Sequence, residues 1–231
     1  MDFLAILRAK LTAFGELLTA DVDLSTPVPH CGDWTFYDLV DHVCRGNEWV
    51  VTAVAEQRGD EQGTPAPRDP VELRPWFDAT ATALVTALSV DPATEAWTFT
   101  RSAPRTVGFW RRRRAHETAM HLWDAQDALG KGEPFESELA ADGIAEVFDM
   151  FAPRMIDRKL APAPETAIQV RANDIGRIWV YGPGEPIAEI AAPVSDLLLL
   201  LWQRKASTDP EFSWQGDRVS GERVLEGPLT P

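Results

Sequence analysis

VGFWRRRRAHETAMHLWDAQDALG, residues 107–130, is the stretch on which the architecture turns. It holds no proline and ends on Gly130, so it is expected to form one long helix from about Val107 to Leu129. His116 and His121 stand five apart. At about 100° per residue they point about 140° away from each other, which excludes the two-histidine face of an H-E-x-x-H zinc protease. Glu117 and His121, four apart, share a face, and Arg114 and Asp124 lie three residues before and three after on the same face. This 3-4-3 spacing is that of a bundle's inner seam. A carboxylate turned inward is costly unless it is paired or bound to a metal, and a divalent cation meets the requirement. The competing interpretation is a solvated face laced with salt bridges.

One carboxylate and one imidazole leave a metal site under-filled, so a third ligand has to come from another helix. His42 is the candidate. It sits in a second expected helix, capped by Asp33 or Thr35 and running to about Gln57, beside the stripe Leu39, Val43, Gly46, Val50, Ala53. His42, Glu117 and His121 would form a 2-His-1-carboxylate set, which leaves coordination positions for water or a substrate sulfur. Cys44 lies about 200° around the helix from His42 and reads as core. His30, in a loop, reads as exposed, and His116 as structural. The run Arg111–Arg114 reads as a solvated face, with Arg113 or Arg114 as an alternative anchor for an anionic substrate. Neither cysteine is expected near the three ligands.

Outward from these two helices, residues 2–20 carry apolar positions at helical spacing (Phe3, Leu4, Ile6, Leu7, Leu11, Phe14, Leu17, Leu18) and read as a first helix. Asp69-Pro70 opens a third, to about Ser89. The irregular stretch that follows has room for a short strand at Trp97–Thr100. A fifth helix is expected over about Ser137–Lys159. Beyond LAPAPET the pattern changes to alternation, with strands expected at Ile168–Ala172, Arg177–Tyr181, Ala188–Ala191 and Glu211–Gln215 and helices at Asp196–Lys205 and Ser220–Leu225. The fold class is α+β, with residues 1–160 a helical bundle and 161–231 a small α+β domain.

The 231 residues have an ordinary globular composition, with nine Trp against two Tyr. The net charge of −14 opposes binding to phosphate backbones, so a nucleic-acid partner is not expected. The first residues form neither a signal peptide nor a membrane span, and Leu197–Trp202 is too short to cross a bilayer. Two cysteines without C-x-x-C make no disulfide framework. A cytoplasmic monomer or weak homodimer is expected, acting on a small molecule and not bound to a membrane.

The segments TPVPHCGDWTFYDLVDHV (26–43) and GFWRRRRAHETAMHLWDAQDALG (108–130) together resemble the mycothiol-dependent maleylpyruvate isomerase family. The resemblance extends to SDLLLLLWQRKASTDPEFSWQGDR (195–218). It implies a DinB-like, metal-binding four-helix bundle followed by a small domain related to sterol-carrier folds. It also implies zinc or a similar divalent ion on His42, Glu117 and His121, with Asp124 behind the neighbouring histidine. Arg204 falls in L-W-Q-R where the family often has L-W-G-R, so Gln203 stands in place of Gly, and Arg204 joins Arg114 as a candidate catalytic residue. The implied cosubstrate is the thiol mycothiol. The implied chemistry is addition of its thiolate to an electrophilic small molecule, as an isomerase or an S-transferase. The alternative is a non-catalytic protein that binds a small thiol or anion. A purely structural metal is disfavoured, because structural zinc is normally closed by four protein ligands.

Overall fold

The computed structural model describes residues 1–100 and 103–231. The chain divides into two compact units, Met1–Glu133 and Pro134–Pro231.

The first unit is built on four helices: α1 (Phe3–Leu17), α2 (Phe36–Ala55), α3 (Pro70–Ala87) and α4 (Val107–Ala128). α1 packs on α4 and α3, and α2 packs on α3 and α4, which closes a four-helix ring. Local chemistry sets the ends. Asp2 and Asp69 cap α1 and α3. Thr35 and Asp38 form a reciprocal capping box at α2, so Thr35 rather than Asp33 is the cap. α4 ends ahead of Gly130, whose φ of +69° suits a residue without a side chain. The interior is filled by fully buried Leu7, Phe14, Phe36, Leu39, Phe77, Leu84 and Trp110. Phe14 and Phe77 stack at 5.2 Å, joining α1 to α3.

No strand forms at Trp97–Thr100. Aromatic packing overrides the local pattern there. The Trp97 carbonyl accepts from Trp110 Nε1 at 2.6 Å, and its amide donates to Ala53 O at 3.0 Å. Both backbone groups are therefore committed to helices, and among the described residues of this stretch the pairing is the Glu95–Thr106 bridge.

In the second unit a four-stranded sheet has the order β2-β1-β3-β4, made of β1 (Ala167–Ala172), β2 (Arg177–Tyr181), β3 (Pro186–Ala192) and β4 (Ser213–Gly216). β1 and β3 are parallel, and the outer pairs are antiparallel. Ile168, Val170 and Ala172 alternate inward with Gln169 and Arg171, and Arg171 pairs across the strands with Glu189. α7 (Val194–Leu201) and α8 (Arg218–Leu225) pack on β1 and β3. α7 is apolar nearly all round, with Leu197, Leu198, Leu199 and Leu201 buried, so it needs cover on more than its sheet side. α5 (Ser137–Glu146) provides that cover. This is why the compact units part ahead of α5, whereas the sequence pattern alone carried the helical part on to residue 160.

The expected fifth helix is one helical run in three pieces: α5, a π-helical turn over Val147–Phe151, and α6 (Ala152–Asp157). Pro153 lacks an amide hydrogen and so cannot complete an α ladder. The turn before it widens, with the Ala152 amide bonding back to Val147 O. Gln203, just beyond α7, has φ of +60°, a conformation glycine adopts without strain. That accounts for a glycine at this place in L-W-G-R.

Candidate metal centre

α4 presents its inner seam as the 3-4-3 spacing requires: Arg114 and Asp124 are fully buried, His121 is buried and Glu117 is half-buried. His42 comes from the middle of α2, itself half-buried. One donor atom each from His42, Glu117 and His121 lies within 4.8 Å of the others. His42 Nε2 is 3.6 Å from Glu117 Oε1, and the two imidazole centroids are 4.9 Å apart. With metal–ligand bonds of about 2.0–2.2 Å, tetrahedral ligand atoms stand about 3.4 Å apart. The spacing and the borderline-soft N/O donors therefore fit a small divalent cation.

Each α4 member of the set is held from behind. Asp124 Oδ2 lies 3.0 Å from His121 Nδ1. A proton placed there fixes the tautomer that leaves Nε2 as a lone-pair donor. Glu117 Oε1 accepts from Arg114 Nη1 at 2.9 Å, and Glu117 Oε2 lies 3.7 Å from Arg113 Nε. Arg114 in turn donates from Nη2 to Asn47 Oδ1 at 2.6 Å, and Asn47 Nδ2 donates to Thr80 Oγ1 at 3.3 Å. A polar chain thus runs from α4 through α2 to α3. Gly46, one turn beyond His42, makes room for it: a Cβ there would meet Arg114 Nη1 at 2.7 Å.

These contacts set the protonation states. Burial is the largest influence on Glu117 and pushes its carboxyl up. Arg114, the neighbouring His42 and Arg113 outweigh it, and the carboxyl is held well below the usual range. Burial depresses His121 more than Asp124 raises it, so its pKa is lowered. In both cases the folded state binds a proton less readily than the unfolded chain. Their stabilising contribution is therefore full above the ordinary imidazole value of 6.5 and is lost as pH falls through the depressed values. In chelator-treated protein the midpoint of thermal unfolding is expected to fall below pH 6.5 as His121 takes up its proton and again below pH 4.5 as Glu117 does, and the second fall should be shallower in Glu117→Gln. An equally steep drop in that variant would assign the acid sensitivity to other groups.

Two residues at the site escaped the sequence reading. The segment 26–36 is pinned by a Pro27–Thr35 bridge and by Val28 N to Trp34 O at 2.9 Å. It sets the Trp34 ring 4.8 Å from His42 and 6.4 Å from His121. It also brings Cys31 Sγ to 3.6 Å from Asp124 Oδ2. Cys31 thus reaches the carboxylate that stands behind His121, whereas Cys44 bonds to Thr80. Cys44 is buried, and burial pushes its thiol up to about 12. Loop closure over 93 residues of sequence separation put Cys31 there, and no periodicity signals it.

His116 is buried edge-on to Phe3 at 5.8 Å, and His30 is exposed with φ of +65°. The arginine run is not a solvated face: Arg113 and Arg114 are 3% and 1% exposed, and Arg111 donates to Leu88 O and Val90 O. Arg204 belongs to the second unit, where its Nη1 donates to Trp202 O at 2.7 Å.

The family model for the mycothiol maleylpyruvate isomerase N-terminal domain matches residues 4–126, the span that contains all three donors. The chain belongs to this family. The model for the C-terminal domain of the same family matches residues 138–223. A search of curated proteins gave no match. Among solved structures, a mycothiol-dependent maleylpyruvate isomerase superposes with a TM-score of 0.67 at 14% identity, covering 92% of this chain and 91% of that one. A histidine-to-alanine mutant of such an isomerase gives 0.62 at 14% identity, over 86% of each chain. These likenesses establish a shared α+β fold across both units. Among the described residues, no helix is long and apolar enough to cross a membrane.

Proposed function

We propose that this family member is a divalent-metal-dependent enzyme that uses mycothiol as a thiol cosubstrate and acts on an electrophilic small molecule, as an isomerase of the maleylpyruvate type or an S-transferase. The observation that carries the proposal is the convergence of His42, Glu117 and His121 donor atoms within 4.8 Å, inside the segment matched by the family's N-terminal model. These three residues would hold the ion, with zinc the first choice for two imidazoles and a carboxylate. Bound there, the ion would supply a Lewis acid that lowers the pKa of a thiol and keeps it as thiolate.

The protein's own groups do the rest. Three protein ligands leave room for one from outside. Asp124 fixes the His121 tautomer and ring plane. Arg113 and Arg114 keep Glu117 ionised and aimed. The Trp34 indole flanks both imidazoles, sheltering that side from water and strengthening electrostatic interactions at the site. Arg204 is proposed, from its place in the L-W-Q-R motif, as a group that stabilises developing negative charge. We place the protein in the cytoplasm, where a reduced thiol cosubstrate persists, as a monomer or weak homodimer.

The test is incubation of zinc-loaded protein with mycothiol and maleylpyruvate, and separately with mycothiol and a panel of alkylating electrophiles, following the isomer or the thioether by chromatography. Turnover that requires both zinc and mycothiol is the expected result. Binding of mycothiol without turnover across the panel would replace the catalytic reading with a binding one.

A further inference from the structure

The contacts around Glu117 do more than aim it. The oxygen that faces His42 at 3.6 Å, Oε1, is the same oxygen that accepts from Arg114 Nη1 at 2.9 Å. Arg114 is 1% exposed and cannot swing into solvent. Its far side is fastened to Asn47 Oδ1 and, at 3.4 Å, to Val43 O, both on α2, and Gly46 leaves the space that the guanidinium fills. A positive charge fixed by the fold therefore sits on the Glu117 oxygen nearest His42.

We propose that Arg114 is a resident counter-ion that competes with the divalent cation for Glu117, so that the bundle folds without metal and binds it reversibly. This rests on the metal reading above. The reasoning is electrostatic. A half-buried carboxylate packed against the fully buried Arg114 destabilises the fold if either partner is removed, and here the partner is built in. The same charge repels an incoming dication in a medium where charges are poorly screened. Arg113, 3.7 Å from Oε2, helps to hold the carboxylate on its rigid helix if Arg114 is removed, so the aim of Glu117 does not depend on Arg114 alone.

The sign of the effect separates this from a merely supporting role. Removing a group that only orients a ligand weakens metal binding, typically by about 10–100-fold. Removing a competing cation tightens it.

The experiment uses the full chain, zinc alone, and a chromophoric chelator as competitor, with thermal unfolding in parallel. The variants are Arg114→Gln, Arg114→Met (which keeps most of the buried stem) and Arg114→Lys (which keeps the charge). The wild-type chain is expected to stay folded in excess chelator and to gain only a few degrees with zinc. Both neutral variants should bind zinc about ten-fold or more tightly than wild type at a temperature where their metal-free form is still folded, and should gain more in thermal unfolding from zinc than wild type does. Arg114→Lys should bind within about three-fold of wild type, because its charge is retained. Neutral variants that bind zinc no better than wild type, or that stay unfolded with zinc present, overturn the proposal and leave the metal site standing. A wild-type chain that binds no divalent cation overturns both.

Discussion

His121→Ala is expected to abolish zinc binding at the proposed site while leaving the bundle folded. His121 is one of two donors on α4, and the only one backed by Asp124. Loss of a supporting partner behind a ligand costs about 10–100-fold in metal affinity, so loss of the ligand itself should exceed about a hundred-fold. Alanine is the strongest helix former, and α4 is held by packing against α1 and α2 along its length. The structural cost comes from Asp124, which loses its imidazole partner and keeps the Cys31 contact, a penalty of about 1–3 kcal/mol. Metal analysis after gel filtration, circular dichroism, and any zinc- and mycothiol-dependent turnover give three readouts. Stoichiometric zinc in the variant would remove His121 from the ligand set.

Trp110→Ala should be the most damaging single truncation in the first unit, at about 3–5 kcal/mol of unfolding free energy. Trp110 is fully buried one turn before Arg114 and meets Trp49 at 5.1 Å, Phe109 at 5.2 Å and Phe99 at 5.7 Å. Its indole nitrogen also satisfies the Trp97 carbonyl, which alanine would leave without that donor. Denaturant unfolding followed by circular dichroism measures the loss. Trp110→Phe should recover much of the packing and none of the hydrogen bond. A loss under about 1 kcal/mol for the alanine variant would mean that this aromatic cluster is not central to the bundle.

Both expectations begin with α4, and the two halves of its chemistry were not equally legible. The placement of Glu117 and His121 on one face follows from their four-residue spacing, because helical geometry is local and periodic. Which way that face turns does not follow. A polar 3-4-3 stripe suits solvent as well as a buried seam. The packing of α1 and α2 against α4 decided it, by enclosing Arg114 and Asp124 completely. His42 was legible only as a histidine beside an apolar stripe. Its approach to Glu117 depends on how α2 is rotated, and the absence of a side chain at Gly46 lets Arg114 pass between the two helices.

In the second unit, alternation placed the strands β1, β2 and β3 to within a residue or two at each end, since the period of two is a backbone property. The strand order β2-β1-β3-β4 and the attachment of α5 to this unit came from long-range burial. The all-apolar α7 had to be covered, and no local signal names its partner.

Taken alone, the sequence determined the course of the four bundle helices, the Asp69-Pro70 start of α3, the stop at Gly130, the shared face of Glu117 and His121, the α+β class and the family resemblance, because each depends on short-range stereochemistry or on motif. Tertiary structure decided that Trp34 and Cys31 close on the site, that two arginines are buried against the Glu117 carboxylate, and that Trp97–Thr100 forsakes strand pairing. Those outcomes come from side chains far apart in the chain competing for one interior, a contest that residue spacing does not encode.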